Sequence, residues 1–369
     1  MNAFSILFSD TFNYDRIGEL TKNRNLASVP FGGRYRLIDF VLSSLVKARV
    51  PNVGVITRNN YSSLVDHLGS GKDWDLDRKN GGLKILTPFA NNLGNSYSKN
   101  KFEALNSIKT YIRHNLPEYA ILADTNIVCN IDFQKMVKFH QETNADVVCL
   151  YKKRDVYEGS TSIQVNENGQ INGSRYHGIA NGEQDNFVLK VYVMKKSFLL
   201  NLIDTGITYG WEEFNRDFIT KQFSTYRIFA MEQTGYCKVL RNINDYYRAN
   251  MDLLNPEIRR EIFQSGTNIL TKIKDSVPTM YGSHSQIKNS LIADGCKIDG
   301  TVENCVIFRG VHIKKGAVVK NSIIMQDAEI SENCQITNVI ADKNMSLNEG
   351  VVLTGSESFP FIISKNTKI

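Results

Sequence analysis

The chain has 369 residues, of which 42% are apolar and 22% charged, and its net charge is +6. Because this length exceeds what one hydrophobic core fills, we expect two domains. Acidic residues are interspersed among the lysines and arginines, which argues against a nucleic-acid partner and is compatible with small anionic ligands. No segment approaches the roughly 18 apolar residues of a membrane span, and no basic stretch opens a signal peptide. We therefore expect a cytoplasmic protein without a membrane partner.

The cysteines stand far apart, and no CxxC pair or Cys/His cluster has the spacing of a zinc site. Buried free thiols are the expected state. The six positions are Cys129, Cys149, Cys237, Cys296, Cys305 and Cys334.

Short β-rich runs alternate with amphipathic stretches from residue 1 to about residue 255. This alternation predicts an α/β, Rossmann-like domain with a mostly parallel, doubly wound sheet, in which ligands bind at the carboxyl ends of the strands. The predicted strands include FSILF, VGVIT, YAILA, DVVCLY and 187–194, and the predicted helices include DFVLSSLVKA, FQKMVKFHQE, 211–223 and 243–254.

After Pro278 the pattern changes to aliphatic residues at six-residue spacing. Hexapeptide repeats of this kind predict a β-helix whose aliphatic residues stack inward, although an antiparallel sandwich also has short alternating strands. The inward sets are Ile292 and Ile298, then Ile307, Ile313 and Val319, then Ile324, Ile330 and Ile336.

Three long segments resemble the ADP-glucose pyrophosphorylase (glucose-1-phosphate adenylyltransferase) family: Ser28–Ser44, Gly69–Gly82 and Asn244–Leu254. The resemblance implies a nucleotidyltransferase-like domain over residues 1–255, a linker over 256–280 and a left-handed β-helix over 281–369. It also implies a tetramer and Mg²⁺-dependent transfer of an adenylyl group from ATP to glucose 1-phosphate.

The parts of the family site that hold phosphate are altered in this chain. The family's glycine-rich turn corresponds to a stretch in which Phe12, Asn13 and Tyr14 replace small residues, while Arg16 is kept. Such side chains should obstruct backbone contact with a triphosphate. Where the family has a phosphate-facing lysine, this chain has Leu26.

The metal-binding carboxylates implied by the resemblance are also altered. Asn126 takes the place of the first aspartate and Val239 takes the place of the second. An amide brings no charge and an aliphatic side chain cannot hold a cation. Asp124 lies two residues from Asn126, and a local shift of the chain would return a carboxylate to the metal. Asn100, Lys101 and Phe102 stand where the resemblance implies a family string near the nucleotide base.

Losing these groups together should remove most of the catalytic rate. The resemblance therefore favours a catalytically degenerate, regulatory kind of subunit that requires no cofactor and assembles with a catalytic, Mg²⁺-dependent partner into a heterotetramer. Arg16, Arg34 and Arg36 are candidate contacts for a sugar-phosphate effector, although these arginines could equally pair with acids of their own domain.

Two other functions stay open. One is an active adenylyltransferase with a rearranged site that uses Asp124. The other is an acyltransferase-like enzyme, since β-helices of this type often have that activity, with His284 or His312 as its histidine.

Overall fold

The computed structural model describes residues 1–10, 17–87, 98–155, 157–179, 184–264 and 268–369. Short 3₁₀ helices cover Gly18–Thr21, Leu26–Ser28 and Lys72–Trp74, and a π-helix covers Phe214–Ile219. The α-helices are α1 Leu37–Lys47, α2 Ser62–Leu68, α3 Lys101–Ser107, α4 Lys109–His114, α5 Phe133–Thr143, α6 Lys196–Thr208, α7 Thr220–Gln222, α8 Ile243–Asp252 and α9 Pro256–Gln264.

The strands fall into two groups along the chain. The first group is β1 Ala3–Phe8, β2 Pro30–Phe31, β3 Tyr35–Arg36, β4 Asn52–Ile56, β5 Gly82–Leu86, β6 Tyr119–Asp124, β7 Ile127–Cys129, β8 Val147–Asp155, β9 Ser160–Val165, β10 Ile171–His177, β11 Gln184–Lys195, β12 Ile228–Glu232 and β13 Cys237–Val239. The second group is β14 Met280–Tyr281, β15 Gln286–Lys288, β16 Leu291–Ile292, β17 Lys297–Ile298, β18 Thr301–Glu303, β19 Val306–Ile307, β20 His312–Ile313, β21 Val318–Lys320, β22 Ile323–Ile324, β23 Glu329–Ile330, β24 Gln335–Thr337, β25 Val339–Ala341, β26 Ser346–Leu347, β27 Val352–Thr354 and β28 Phe361–Ile363.

The chain divides into two compact units that are not continuous in sequence. Unit 1 comprises residues 1–14 and 40–237, and unit 2 comprises residues 15–39 and 238–369. Unit 2 thus combines an early segment of the chain with the C-terminal repeats. The predicted domain division at residues 255 and 280 is based instead on where the sequence pattern changes, and it stays a prediction.

Unit 1 is built on a mixed sheet whose strand order is β10-β9-β11-β6-β1-β4-β5, with β8 paired to both β11 and β12. The four strands β6, β1, β4 and β5 run parallel, as the alternating sequence predicts, and β11 adds antiparallel to β6 and β8. The core of this unit is apolar on both faces of the sheet, because strands covered on two sides are nearly continuous apolar runs.

Local side-chain bonds set the helix ends that sequence patterns leave uncertain. Asp132 accepts a hydrogen bond from the Lys135 backbone N–H at 2.9 Å and starts α5, which ends at left-handed Asn144. The helix predicted for 211–223 begins only at Phe214 and is a π-helix in its first part. Its wide turn forms where the Asp217 carboxylate accepts hydrogen bonds from two preceding backbone N–H groups, at 2.9 and 3.1 Å.

The repeats of unit 2 form the predicted β-helix of the left-handed, hexapeptide class. Its three parallel sheets are β14-β17-β20-β23-β26, β15-β18-β21-β24-β27 and β16-β19-β22-β25-β28. Successive coils stack aliphatic residues in register 17 positions apart: Ile307 on Ile324, Ile313 on Ile330 and Val319 on Ile336. All of these side chains and that of Ile298 are buried, as the six-residue spacing predicts, whereas Ile292 of the first predicted set is half-buried and packs against the same core.

Candidate functional site

A buried ion pair lies at the carboxyl edge of the parallel strands in unit 1. The register of β1 and β6 sets Phe8 beside Asp124, the last residue of its strand. The Lys101 ammonium lies 2.5 Å from Asp124 Oδ1 and 4.8 Å from the centre of the Phe8 ring. Both charged side chains are at most 4% exposed. The carboxylate at this strand end is therefore neutralised by a cation of the same chain.

The start of α3 fixes the position of Lys101. The side chain of Asn100 accepts a hydrogen bond from the Glu103 backbone N–H at 2.9 Å, and Glu103 accepts one in return from the Lys99 backbone N–H at 2.7 Å. This arrangement is a variant of the capping box, in which Glu103 bonds the residue before the N-cap, Lys99, and the two bonds hold the first turn of the helix in place. Lys101 is consequently the first helical residue and faces Asp124.

A second ion pair joins the same electrostatic cluster. Lys190 on β11 lies 2.6 Å from Glu213, which directly precedes the π-helix. Burial raises the pKa of Glu213, but the ammonium groups of Lys190 and Lys101 outweigh burial and lower that pKa to about 2. Burial lowers the pKa of Lys190, but Glu213 and Asp124 together raise it above its ordinary value. The cluster thus contains two carboxylates and two ammonium groups whose charges cancel.

The predicted site positions in unit 1 divide into those that lie at this edge and those outside the described residues. Asp124 is a buried residue at the end of β6. Asn126 follows it in the turn before β7 and is also buried. Thr125, between them, donates a hydrogen bond to the Phe8 carbonyl at 3.0 Å. Phe12, Asn13 and Tyr14 of the altered turn lie outside the described residues.

Leu26 and Val239 belong to unit 2. Leu26 is buried in a 3₁₀ turn that the Asn25 side chain closes by accepting a bond from Ser28 N at 3.2 Å. Val239 is half-buried at the end of β13. Arg16 lies outside the described residues. In the described part of the chain, no group of three or more His, Cys, Asp or Glu side chains is arranged to hold a metal ion.

Two of the segments that carry the family resemblance pack against each other within unit 2. Tyr246 donates a hydrogen bond to the Pro30 carbonyl at 2.7 Å, and Asn250 accepts one from the Gly32 N–H at 2.9 Å. Gly32 has φ of +60°, and a Cβ there would lie 2.9 Å from Leu253. Glycine is required at this close approach for both reasons. The segment around Arg34 and Arg36 is thereby held rigidly on α8.

A basic cluster forms where this segment meets the last coils of the β-helix in unit 2. A single nitrogen of buried Arg24, Nη2, donates to both carboxylate oxygens of Asp342, at 2.9 and 2.8 Å. The other terminal nitrogen, Nη1, is buried without a hydrogen-bond partner among the described residues. Burial and the charges of Arg36, Arg24 and Lys274 together lower the pKa of the neighbouring Lys343 to about 7, against the opposing effect of Asp342. Among the described charges that act most strongly on Lys343, three are positive and one is negative.

The structure separates the two described effector candidates. Arg36 is half-buried and acts on Lys343, so it belongs to the basic cluster. Arg34 is exposed, with its guanidinium 5.8 Å from the centre of the Tyr35 ring, and it forms no ion pair with a described residue. The sequence pointed to Arg36 but not to Lys274 and Lys343, which lie more than 200 positions away and which only the fold brings to it. Arg24 was also missed, because its carboxylate partner Asp342 is 318 positions away.

The two histidines considered for acyl transfer lie apart on the β-helix. His284 is exposed, and its Nδ1 lies 3.3 Å from Asp299. His312 is half-buried beside inward-facing Ile313.

Trp74 is fully buried and meets His67 edge to face, so it packs in the core of unit 1. All six cysteines are buried and reduced, as predicted.

Comparison with known families supports both halves of the fold. The profile described as "Nucleotidyl transferase" matches residues 15–173, and the profile described as "GlmU-like, C-terminal hexapeptide" matches residues 275–358. The described part of the chain contains no helix with the length and apolar composition that a bilayer span requires.

Curated relatives match the chain over nearly its whole length. "Glycogen biosynthesis protein GlgD" of Bacillus subtilis is 35% identical over 94% of this chain and 91% of its own length. The protein of the same name from Geobacillus stearothermophilus is 36% identical over 94% of this chain and 92% of its own length. "Glucose-1-phosphate adenylyltransferase" of Clostridium perfringens strain SM101 is 30% identical over 83% of this chain and 80% of its own length. The chain therefore belongs to the glucose-1-phosphate adenylyltransferase (ADP-glucose pyrophosphorylase) family, in its GlgD branch.

Proposed function

We propose that this chain is a non-catalytic regulatory subunit that acts in glycogen biosynthesis by modulating a catalytic ADP-glucose pyrophosphorylase subunit in a heterotetramer. The observation that carries the proposal is the buried ion pair between Lys101 and Asp124. It occupies the strand edge where the resemblance leads us to expect a metal-binding carboxylate. The GlgD relatives, whose name refers to glycogen biosynthesis, support the pathway.

The residues at this edge do not fit a Mg²⁺ site. Adenylyl transfer needs carboxylates that hold the metal between the reacting phosphates. The charge of Asp124 is already neutralised by the Lys101 ammonium, which would repel a divalent cation. Asn126 brings no charge, and Val239, which takes the place of the second aspartate that the resemblance implies, has no ligand atom in its side chain. We accordingly assign no cofactor to this chain and expect Mg²⁺ only in the catalytic partner.

One atom favours the alternative of an active adenylyltransferase. Asp124 Oδ2 is buried and accepts no hydrogen bond from a described residue, so one oxygen of this carboxylate is still available. For that oxygen to serve a metal, Lys101 would have to withdraw from a buried ion pair, which leaves two uncompensated charges in a low-dielectric site. This cost is why we place the active enzyme second.

Regulation by an anionic effector is the second part of the proposal. The described charges that act most strongly on Lys343 are those of Arg36, Arg24, Asp342 and Lys274, and this mostly positive set suits a sugar phosphate. Arg36 is the described effector candidate that the cluster supports best, and exposed Arg34 would contribute at its margin. An effector that binds one assembly state better than another shifts the balance between the two states.

The test is ADP-glucose synthesis by a catalytic family subunit from the same cell, with and without this chain, at saturating Mg²⁺ and over a series of effector concentrations. We expect the mixture to exceed the catalytic subunit alone in rate or to respond to the effector at a lower concentration. Size-exclusion chromatography with light scattering on the same mixture should show a mixed tetramer. A mixture that neither co-elutes nor differs in rate contradicts the regulatory proposal.

The same effector series with the R36M variant separates the two parts of the proposal. A mixture containing R36M should still assemble and should lose the effector response. If R36M responds like the unmodified chain, the effector site lies elsewhere while the regulatory role stands. The Y281F variant, altered at an exposed tyrosine of the β-helix, is the matched control for handling and stability.

A further inference from the structure

Two of the six cysteines are neighbours in unit 1. Cys129 ends β7, Cys237 begins β13, and these two strands form a two-stranded sheet. The two thiols are hydrogen-bonded to each other. Cys129 is fully buried, and Cys237 is 6% exposed.

The other described thiols are in different surroundings. The three cysteines of the β-helix lie within hydrogen-bond distance of backbone carbonyls: Cys296 of Phe308 O at 3.1 Å, Cys305 of Glu303 O at 3.1 Å and Cys334 of Asn348 O at 3.0 Å. Cys149 is buried in the sheet of unit 1, and burial raises its pKa to about 12. Cys129 and Cys237 are the described cysteines whose thiols contact each other.

Two cations on β8, Lys152 and Arg154, act electrostatically on Cys129. Lys152 donates hydrogen bonds to the carbonyls of Gln233 and Gly235, which holds its ammonium beside the turn that leads into Cys237. Arg154 Nη1 is buried and has no hydrogen-bond partner among the described residues. The hydrogen bond with Cys237 and burial raise the pKa of Cys129 well above its ordinary value, so Cys129 keeps its proton, while the charges of Lys152 and Arg154 oppose this rise and favour negative charge at the pair. A thiolate beside a second thiol is the arrangement from which a disulfide forms.

We propose that Cys129 and Cys237 form an oxidisable dithiol, which a hydroperoxide converts to an intramolecular disulfide. The Cys237 thiolate, the more exposed of the two, attacks the terminal peroxide oxygen. The O–O bond breaks, and the departing alkoxide takes a proton to become an alcohol, or water if the oxidant is hydrogen peroxide. Cys237 becomes a sulfenic acid.

The second step closes the disulfide. The Cys129 sulfur attacks the Cys237 sulfur, the S–O bond breaks, and the hydroxide that leaves takes the Cys129 proton to form water. In total, two thiols lose two electrons and two protons, and the hydroperoxide is reduced by two electrons. The bond would fix Cys237, the last residue of unit 1, to the strand that follows Asn126. The disulfide would then lie directly before the chain segment that continues into unit 2.

The test is oxidation of the full-length, folded chain with hydrogen peroxide, followed by removal of the oxidant, denaturation, thiol titration and peptide mapping without reductant. We expect free thiols to fall from six to four, with one disulfide-linked peptide pair containing Cys129 and Cys237. Dithiothreitol should restore all six. Survival of the full thiol count, or over-oxidation of Cys237 without a linked peptide, would overturn the proposal.

Matched variants make the result specific. C149S removes a buried thiol of the same unit and should still form the linked pair. C129S should instead accumulate a Cys237 sulfenic acid that dimedone traps, whereas C237S should show no dimedone adduct at Cys129 at the same peroxide dose. The K152M variant should form the disulfide more slowly. A linked pair that forms at an unchanged rate in K152M, or linkage through Cys149 instead, would contradict the assignment of the thiolate and its stabilising cation.

Discussion

The charged cluster in unit 1 and the basic cluster in unit 2 use the same residue types to opposite effect. In unit 1, Lys101 and Lys190 are each matched by a carboxylate at hydrogen-bond distance. In unit 2, burial and the charges of Arg36, Arg24 and Lys274 lower the pKa of Lys343 to about 7, and Asp342 is the described carboxylate that most strongly opposes them. A cluster whose charges cancel has no electrostatic need of a ligand, whereas a cluster with excess charge gains free energy when an anion binds. Ligand binding in this chain is therefore expected in unit 2.

Removing one partner of the charged cluster in unit 1 should produce the largest loss of stability. The K101M variant leaves the Asp124 carboxylate buried without its cation, so the free energy of unfolding should fall by about 3–5 kcal/mol. Replacing both partners, in K101M/D124L, should recover most of that loss because no buried charge remains. Urea denaturation of the two variants measures the difference. An equal loss in both would mean that packing, not charge pairing, holds this edge.

The second largest effect is expected at Arg36, on which anion binding should depend. A hydrogen bond to a charged group contributes about 1.5–3 kcal/mol, so R36M should weaken binding of glucose 1-phosphate about 10- to 100-fold in isothermal titration calorimetry. R34M removes an exposed guanidinium and should change the dissociation constant by less than about fivefold. Equal effects of the two substitutions would place the anion at the surface around Tyr35 and not in the basic cluster.

The affinity for anions should fall as pH rises above 7. A bound phosphate raises the pKa of Lys343 from about 7, so binding above that pH takes up a proton. The dissociation constant should therefore increase by up to about tenfold per pH unit. K343M should bind more weakly at pH 6.5 and lose this pH dependence. A dissociation constant of the unmodified chain that does not change between pH 7 and pH 9 would contradict the role given to Lys343.

The lowered pKa of Lys343 also determines how the free energy of unfolding depends on pH. Between about pH 7 and the ordinary value of 10.5, the unfolded chain binds more protons at Lys343 than the folded chain does. The contribution of Lys343 to the free energy of unfolding therefore rises with pH across this window and is least favourable below pH 7. Thermal unfolding of K343M and of the unmodified chain should accordingly differ most at the acid end.

The smallest predicted effect concerns the contact that holds the Arg36 segment on α8. The Y246F variant loses the hydrogen bond to the Pro30 carbonyl and should lower the free energy of unfolding by about 1 kcal/mol. Y281F, at an exposed tyrosine, should change it by less than about 0.5 kcal/mol. If both variants unfold alike, the contact does not stabilise unit 2.

Periodicity predicted the fold well because burial is a local signal. The six-residue spacing identified Ile307, Ile313 and Val319 as inward residues, and alternating runs identified the parallel strands around β1 and β6. The helix predicted for 211–223 was too long, because the bonds of Asp217 to backbone N–H groups set its geometry. The helix propensities of single residues do not predict such a hydrogen bond between a side chain and the backbone.

The candidate sites were predicted only in part. Asp124 and Lys101 were both noticed from the sequence, but a pairing across 23 positions required the register of β1 and β6 and the capping of α3. Arg24 and Asp342 are 318 positions apart, so their contact could not be inferred from spacing. Long-range pairings of charge depend on the fold as a whole, and these pairings distinguish a matched cluster from one that attracts a ligand.

The most direct test of the central claim is Mg²⁺-dependent ADP-glucose synthesis by this chain alone, from ATP and glucose 1-phosphate, with a catalytic family subunit as the positive control. We predict no turnover above the no-enzyme background, for the unmodified chain and for N126D alike, because Lys101 still neutralises Asp124. Turnover by the unmodified chain at a rate comparable to the control, abolished by D124N, would contradict the account and establish Asp124 as a metal ligand.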